Sequence, residues 1–272
     1  MCRVLEVSKS GYYKWRQTGK SEIREGDIFH IVKIKEISEQ SRGTYGSRRI
    51  RAKLRKEGIR VNIKRIKRLM EITGIRAKMR RKFKITTNSK HKLPIVENLL
   101  KSIPEITRAN MVWVGDITYI WTREGWLYLA SVMDLWSRKI IGWHMSVRLD
   151  KELVVKALGM AIANRKFVEG VMFHSDKGSQ YASNEFKDLL KNYGIIQSMS
   201  SKGRCYDNAF KESFFHTLKT ELVYREYYNT RKEAENSIFE YIEVFYNRQR
   251  LHSSLNYMSP VDFEIDNDNK LC

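Results

Sequence analysis

Residues 111–121, MVWVGDITYIW, are the stretch that decides the fold. They are rich in Val, Ile, Thr and aromatic residues, which favour a β-strand. Asp116 stands in the middle of this apolar run. A carboxylate among apolar neighbours is costly unless it is paired or binds a metal. The stretch therefore predicts a strand that carries a functional acid.

Downstream of this strand, apolar runs and amphipathic segments alternate. We predict further strands at 126–134, 139–147, 170–174 and 195–200, and helices at 151–165, 185–193 and 206–224. The order β-β-β-α-β-α-β-α indicates an α/β layer that begins with three antiparallel strands. A capping box from Thr230 to Glu233 opens a last amphipathic helix. Its predicted inner face consists of Ala234, Ile238, Tyr241, Ile242 and Phe245.

The charge of the chain is concentrated at its start. The 272 residues carry a formal charge of +20, and residues 1–110 alone hold 30 basic and 10 acidic residues. Residues 42–84 contain 18 basic residues and two acids. Such a patch favours nucleic acid as the partner over an ordinary solvated surface. An anionic membrane is disfavoured because the basic segments have no broad apolar face.

The basic region has the spacing of short helices. One is predicted over 22–40 with isoleucines inward, at positions 23, 28, 31, 34 and 37, one from Ser47 to Gly58, and one capped by Asn62. In the last of these, Lys64, Arg65, Lys67 and Arg68 are expected to project outward. The pattern indicates a helix-turn-helix-like unit, with an ordinary helical hairpin as the alternative. Residues 76–92 are interpreted as a linker or a DNA-tracking arm.

Several classes of protein are excluded by composition. The three cysteines are scattered, which argues against a disulfide scaffold or a structural zinc site and favours a reducing cytoplasm. No apolar stretch approaches the ~18–20 residues that span a membrane. The first residues lack the apolar segment of a secretory signal. We therefore expect no membrane partner and a cytoplasmic, nucleoid-associated location.

Three acids are candidate metal ligands. Asp116 lies in the first strand, Asp176 follows the fourth strand, and Glu212 lies on the helix after the fifth. Three carboxylates can hold two Mg²⁺ ions about 3.5–4 Å apart, as phosphodiester chemistry requires. The spacing of 35 residues between Asp176 and Glu212 is weak support by itself, and a structural salt bridge is the alternative. Lys219 shares the helix face of Glu212 and is predicted to reach a phosphate. His216 is expected to have a packing or surface role.

These neighbourhoods resemble the motifs of the insertion sequence 3 family of transposases, in the product of the second open reading frame. The resemblance rests on WVGDITYI at 113–120, HSDKGSQY at 174–181, GRCYDNAFKESFF at 203–215 and LKTE at 218–221. It extends to YNRQRLH at 246–252, Leu255, Ser259 and Pro260, to YGSRRI at 45–50 and to SKSGYYKW at 8–15. Gly115, Lys177, Arg204 and Phe210 depart from the commoner residues, Gly115 standing where Thr is usual.

The resemblance implies an integrase catalytic core of the ribonuclease H-like fold, a five-stranded mixed sheet with flanking helices. It implies that Asp116, Asp176 and Glu212 are catalytic and bind two Mg²⁺ ions, for which Mn²⁺ substitutes. It implies DNA as partner, with Lys219, Arg48, Arg49 and the four basic residues of 64–68 as contacts. The expected activity is cleavage and strand transfer at insertion-sequence ends, through a circular intermediate. The protein is expected to act as a homo-oligomer on DNA, with or fused to an upstream-frame product.

Three rival classes are disfavoured. A catalytically inert DNA-binding or repressor protein that retains the fold is opposed by the intact set of three acids. A retroviral-type integrase needs a His/Cys zinc unit that three scattered cysteines cannot build, and a ribonuclease H proper is opposed by the long basic arm and the spacing of Glu212. The expected organisation is a DNA-binding region at 1–92, a linker at 93–110, the core at 111–228, and a C-terminal helix and tail packed on the core at 229–272.

Overall fold

A computed structural model describes residues 2, 4, 6–18, 23–78, 96–100, 103, 105–200 and 209–269. For residues 14, 15, 17, 18 and 209–213 it describes the backbone alone. The chain forms two units, Met1–Ala77 and Lys78–Cys272. The domain boundaries predicted at 92, 110 and 228 remain predictions. Most of the predicted arm at 76–92 lies outside the described residues.

The N-terminal unit is helical. Its described helices are α1 Lys9–Thr18, α2 Glu25–Gln40, α3 Ser47–Lys56 and α4 Ile63–Ile72. The side chain of Asn62 caps α4 by accepting from the amide of Lys64, as predicted. Gly58 ends α3 with a φ of +79°, a conformation that glycine adopts at little cost. The helix α3 begins at Ser47, as predicted, and Gly46 occupies its N-cap position.

The inner face of α2 differs from the predicted one. Ile34 and Ile37 are buried, whereas Ile23 lies before the helix and Ile28 is exposed. The buried residue of the first turns is Asp27. A helix face is set by the position of its neighbours as well as by its own period, and here α4 presents arginines to the start of α2.

The second unit is built on one mixed sheet. Its strands are β1 Val112–Thr122, β2 Gly125–Asp134, β3 Ile140–Ser146, β4 Met172–Ser175 and β5 Ile196–Met199. Their order is β3-β2-β1-β4-β5. The strands β1, β2 and β3 are antiparallel neighbours, whereas β4 is parallel to β1 and β5 is parallel to β4. The predicted strands are therefore confirmed, with their ends shifted by one or two residues.

Helices cover both faces of the sheet. They are α5 Lys151–Asn164, α6 Asn184–Asn192, α7 Ala209–Glu221 and α8 Arg231–Phe239. One face packs on α5 and α6 around Phe173 and Leu158. The other packs on α7 and α8 around Phe214 and Ile238. Because side chains alternate along a strand, Val112 and Val114 of β1 point to the α7 face.

The residues after α8 continue directly as helix, since a π-helix begins at Glu240. The capping box at Thr230 and the predicted buried face of this segment are confirmed. The α-helix becomes a π-helix at Glu240–Tyr246, and short 3₁₀ turns occur at Val223–Arg225 and Ser253–Leu255. A further helix, α9 Pro260–Asp268, was not predicted. Among the described residues no helix combines the length and the apolar character needed to cross a bilayer.

Candidate active site

Two acids lie next to each other where the pairing of the parallel strands β1 and β4 ends. The pairing of β1 with β4 ends at Gly115 and Ser175, so the next residues along both strands are Asp116 and Asp176. Both side chains are partly exposed. Oδ1 of Asp116 accepts from the amide of Ile117 at 2.9 Å, and Oδ1 of Asp176 accepts from the amide of Gly178 at 3.0 Å. The fold therefore brings together two acids that are remote in sequence.

The buried Tyr181 lies near the carboxylates of Asp116 and Asp176. Tyr181 is fully enclosed beside Phe173, and burial raises the pKa of its hydroxyl well above the usual value. The negative charges of Asp116 and then Asp176 raise this pKa further. The Tyr181 hydroxyl therefore lies close enough to both aspartates for their charges to act on it.

The packing below the acids explains the glycine at position 115. A Cβ atom there would lie 2.2 Å from Cζ of Phe173 and 3.2 Å from Cε1 of Tyr181. Contacts below 3.0 Å force a neighbour to move, and both rings are buried. The departure of Gly115 from the commoner Thr therefore follows from the large rings beneath β1.

The helix α7 adds a positive charge to the site. Lys219 is 4 % exposed, and its Nζ atom lies 4.5 Å from the ring centre of Tyr119 on β1. Burial lowers the pKa of the Lys219 ammonium, while the carboxylate of Asp116 acts in the opposite direction. Lys219 is thus close enough to Asp116 for their charges to interact.

The third predicted acid also belongs to α7. Glu212 lies two helical turns before Lys219, but its side chain is outside the described part of the structure. The predicted helix start at Tyr206 and the residues 203–208 of the third motif lie outside it as well. No cluster of three or more His, Cys, Asp or Glu residues occurs among the side chains that are described. The convergence of Glu212 on the two aspartates stays a prediction.

A buried ion pair that the sequence did not indicate holds the end of α7. Arg250 donates from Nε to Oε2 of Glu221 at 2.9 Å and from Nη2 to Oε1 at 2.7 Å. The hydroxyl of Tyr241 donates to Oε2 of the same carboxylate at 2.8 Å. The charge of Glu221 outweighs burial and raises the pKa of Arg250. The only indication of this ion pair in the sequence was the family motif at 246–252, which contains Arg250.

The same motif is joined to the edge of the sheet. The Asn247 side chain accepts from the amide of Ile140 and donates to its carbonyl, both at 2.9 Å. Asn247 thereby occupies backbone groups that a sixth strand would otherwise pair with. The motif at 246–252 thus connects β3 to α7.

The basic residues of the N-terminal unit divide into two groups. Lys64, Lys67 and Arg48 are exposed. Arg65 and Arg68, predicted to project outward, instead turn to Asp27: Arg65 Nε lies 2.8 Å from Oδ1, and Arg68 Nη2 contacts Oδ2. The reason is that residues 65 and 68 share the face of α4 that meets the buried carboxylate.

The chain is similar in sequence to several known proteins. Two family models described as an integrase core domain match residues 106–205 and 212–267, and a model described as an HTH-like domain matches residues 27–83. The "Insertion element IS600 uncharacterized 31 kDa protein" of Shigella sonnei is 45 % identical over 97 % of this chain and 97 % of its own length. "Transposase InsF for insertion sequence IS3A" of Escherichia coli (strain K12) is 42 % identical over 98 % of this chain and 93 % of its own length. The HTLV-2 integrase catalytic core domain in complex with magnesium is 15 % identical, with a TM-score of 0.44, over 57 % of this chain and 96 % of that chain.

The strand order and the matches to integrase core domains identify the second unit as an integrase-type core of the ribonuclease H-like fold, as the resemblance implied. The two relatives are 42–45 % identical to this chain over nearly its whole length, which identifies the family within this fold class. The chain belongs to the insertion sequence 3 family of transposases and is a DNA transposase with a DDE polynucleotidyl transferase core.

Proposed function

We propose that the second unit cleaves the DNA ends of an insertion sequence and joins them to target DNA, with Asp116, Asp176 and Glu212 as its catalytic acids. The observation that carries this proposal is the register of β1 with β4, which sets Asp116 beside Asp176. Lys219, close to Asp116, supplies the positive charge for a phosphate of the bound strand. Asp176 follows the carboxyl end of β4, which is a common location for such sites in α/β sheets.

The donor set fits the divalent metals that integrase cores use. Both aspartates present carboxylate oxygens, the ligands that Mg²⁺ prefers, and both are partly exposed. We propose that these two residues and Glu212 hold two Mg²⁺ ions, for which Mn²⁺ substitutes. When bound, such ions activate the attacking oxygen and stabilise the leaving oxygen of an in-line displacement.

The residues of the chain position the strand for two displacements. In the first, water attacks a phosphodiester at the element end, and the P–O3′ bond breaks to leave a 3′-OH and a 5′-phosphate. In the second, this 3′-OH attacks a target phosphodiester, so that one P–O bond forms for each that breaks. Lys219 orients the phosphate in both steps, since its ammonium lies over the Tyr119 ring and its charge interacts with that of Asp116.

The N-terminal unit is proposed to bind the element ends. An HTH-like domain implies DNA binding, and Arg48, Lys64 and Lys67 are exposed there. Arg49 lies over the Tyr45 ring at 5.6 Å from its centre and remains a candidate DNA contact. Assembly as a homo-oligomer on DNA, cooperation with an upstream-frame product and a cytoplasmic location belong to the same proposal.

The direct test is strand cleavage by the full chain. A labelled duplex that ends in the inverted repeat is incubated with Mg²⁺ and resolved on a denaturing gel. We expect metal-dependent nicks from the wild type and a loss of at least about 100-fold in Asp176→Asn. Asp188→Asn is the matched control, because Asp188 is an exposed aspartate on α6.

Binding without cleavage would support the inert DNA-binding alternative. Thermal unfolding supplies a second measurement: Mg²⁺ should raise the melting temperature of the wild type and not that of Glu212→Ala. Equal shifts in the two proteins would locate the metal elsewhere.

A further inference from the structure

A row of aromatic rings extends from Lys219 to the tip of the β1–β2 hairpin. Trp121 and Trp126 are cross-strand neighbours, with ring centres 4.8 Å apart and planes at 72°. Tyr119 lies 5.1 Å from Trp126 with planes at 88°. We call these three residues the hairpin platform. They share one side of the sheet because positions 119 and 121 alternate with position 120, and Trp126 pairs with Trp121.

The hairpin platform is unusually exposed for its size. Trp121 is 58 % exposed and Trp126 is 44 % exposed, whereas Trp113 on the same strand is completely buried. Indole rings bury large areas and dominate the energetics of the surfaces they join. Two adjacent exposed indoles therefore need a reason beyond the stability of the hairpin.

The position of the platform suggests its ligand. Lys219 touches the ring of Tyr119 and is close to Asp116, so the platform begins at the proposed catalytic site. Trp121 lies five positions after Asp116 on β1, about 16 Å at ~3.3 Å per residue, and the side chains at the two positions leave opposite faces of the strand. That length corresponds to about five stacked nucleotides at ~3.4 Å each.

The charges around the platform favour an anionic ligand. Arg123 is exposed at the hairpin turn, and Lys219 lies at the other end. The turn also carries one exposed acid, Glu124, whose carboxylate accepts from the amide of Arg231 at 2.8 Å. Rings flanked by cations are the usual surface for unpaired nucleic-acid bases, which stack while the phosphates meet the cations.

We propose that the hairpin platform stacks unpaired bases of the DNA strand whose phosphodiester lies at the acid pair. The location of this strand rests on the proposed function, whereas base stacking itself does not require catalysis. The ligand is therefore single-stranded DNA next to the cleaved position. A flat protein surface, such as a second copy of this chain, is the competing occupant.

The test compares two ligands that differ only in their bases. One is a fluorescein-labelled oligothymidylate of about 16 nucleotides, and the other is an abasic oligonucleotide of the same length. Fluorescence anisotropy gives both dissociation constants for the full chain in the Asp176→Asn background, which keeps the DNA intact. We expect the wild-type platform to prefer the oligothymidylate by about 5- to 100-fold.

Substitutions in the hairpin platform test whether its rings cause the preference for the oligothymidylate. Trp121→Ala with Trp126→Ala should bring the ratio of the two dissociation constants close to one without changing the affinity for the abasic strand. Trp121→Tyr, which keeps a ring, should retain an intermediate ratio. Tyr193→Ala is the matched control, since Tyr193 is 46 % exposed on the same unit and lies outside the platform. It should leave the ratio unchanged.

Each other outcome overturns the proposal. An unchanged ratio in the double alanine variant shows that the platform does not bind bases. Loss of a dimer in sedimentation velocity, with the ratio preserved, identifies the platform as a protein interface. The proposed function is tested separately by the cleavage assay, and it fails if the wild type produces no metal-dependent nicks.

Discussion

Replacing Arg250 with methionine should destabilise the second unit by several kcal/mol. Arg250 and Glu221 have side chains 5 % and 9 % exposed, and two hydrogen bonds join them. Each hydrogen bond to a charged group contributes about 1.5–3 kcal/mol, so the pair predicts a loss of about 3–6 kcal/mol. Breaking a buried pair by removing one partner typically costs about 3–5 kcal/mol, because the other charge stays buried. Tyr241 still donates to Glu221 in the variant, which favours the lower half of the range.

The assay is urea unfolding followed by tryptophan fluorescence. Five of the six tryptophans lie beyond residue 111, so the signal reports mainly on the second unit. The double variant Arg250→Met with Glu221→Gln removes both charges and leaves an acceptor for the Tyr241 hydroxyl. It should recover most of the lost free energy of unfolding, because an uncharged pair has no buried charge to satisfy.

An exposed ion pair supplies the control for this measurement. Lys156 and Glu152 are 52 % and 64 % exposed, and Lys156→Met should lower the free energy of unfolding by less than about 1 kcal/mol. The reasoning is refuted if Arg250→Met loses no more than this control. It is also refuted if the double variant is as unstable as the single one.

Three further outcomes test the packing and charges. Gly115→Thr should lower the melting temperature, through about 1–3 kcal/mol of overpacking against Phe173, whereas Gly159→Ala has open space and should be neutral or stabilising; equal effects would contradict the contact. Burial raises the pKa of Asp27, but hydrogen bonds from two arginines outweigh burial and lower it to about 2 from 3.8. The stability that it adds is therefore present above pH ~4 and lost as the pH falls through about 2, so the thermal stability of Asp27→Asn should depend less on acid than that of the wild type. In salt titrations of duplex binding, Lys67→Ala should reduce the slope of log K against log[salt] by about 0.9, and an unchanged slope would remove Lys67 from the interface.

The strands were predictable because their signal is local. Residues 111–121 are β-branched and aromatic in sequence, and β1 forms there within one residue. The start of α9 also had a local signal, since Ser259 caps it and Pro260 occupies its first position. These two residues were assigned to a family motif, and the helix was missed for that reason.

The spacing of apolar residues predicts helices and strands but does not predict which residues far apart in the sequence will contact each other. The outward direction predicted for Arg65 and Arg68 was wrong because Asp27, 38 residues before Arg65, occupies the inner face of α2. The buried pair of Glu221 with Arg250 spans 29 residues, and nothing in either segment alone identifies the partner. The sequence proposed Asp116 and Asp176 as joint metal ligands without showing how they meet, and the register of β1 with β4 is what makes them neighbours.

The C-terminal segment is a structural part of the proposed active site. The apolar cluster beneath α7 combines β1 and β2 residues with Ile238, Tyr241 and Phe245 from the segment after residue 228. Without that segment, the apolar face of α7 would be exposed and the carboxylate of Glu221 would lose its arginine. Lys219 sits two residues before Glu221, so any shift of this helix end moves the positive charge away from the acid pair. Accurate placement of a catalytic group requires rigid support, and here that support comes from residues about 30 positions further along the chain.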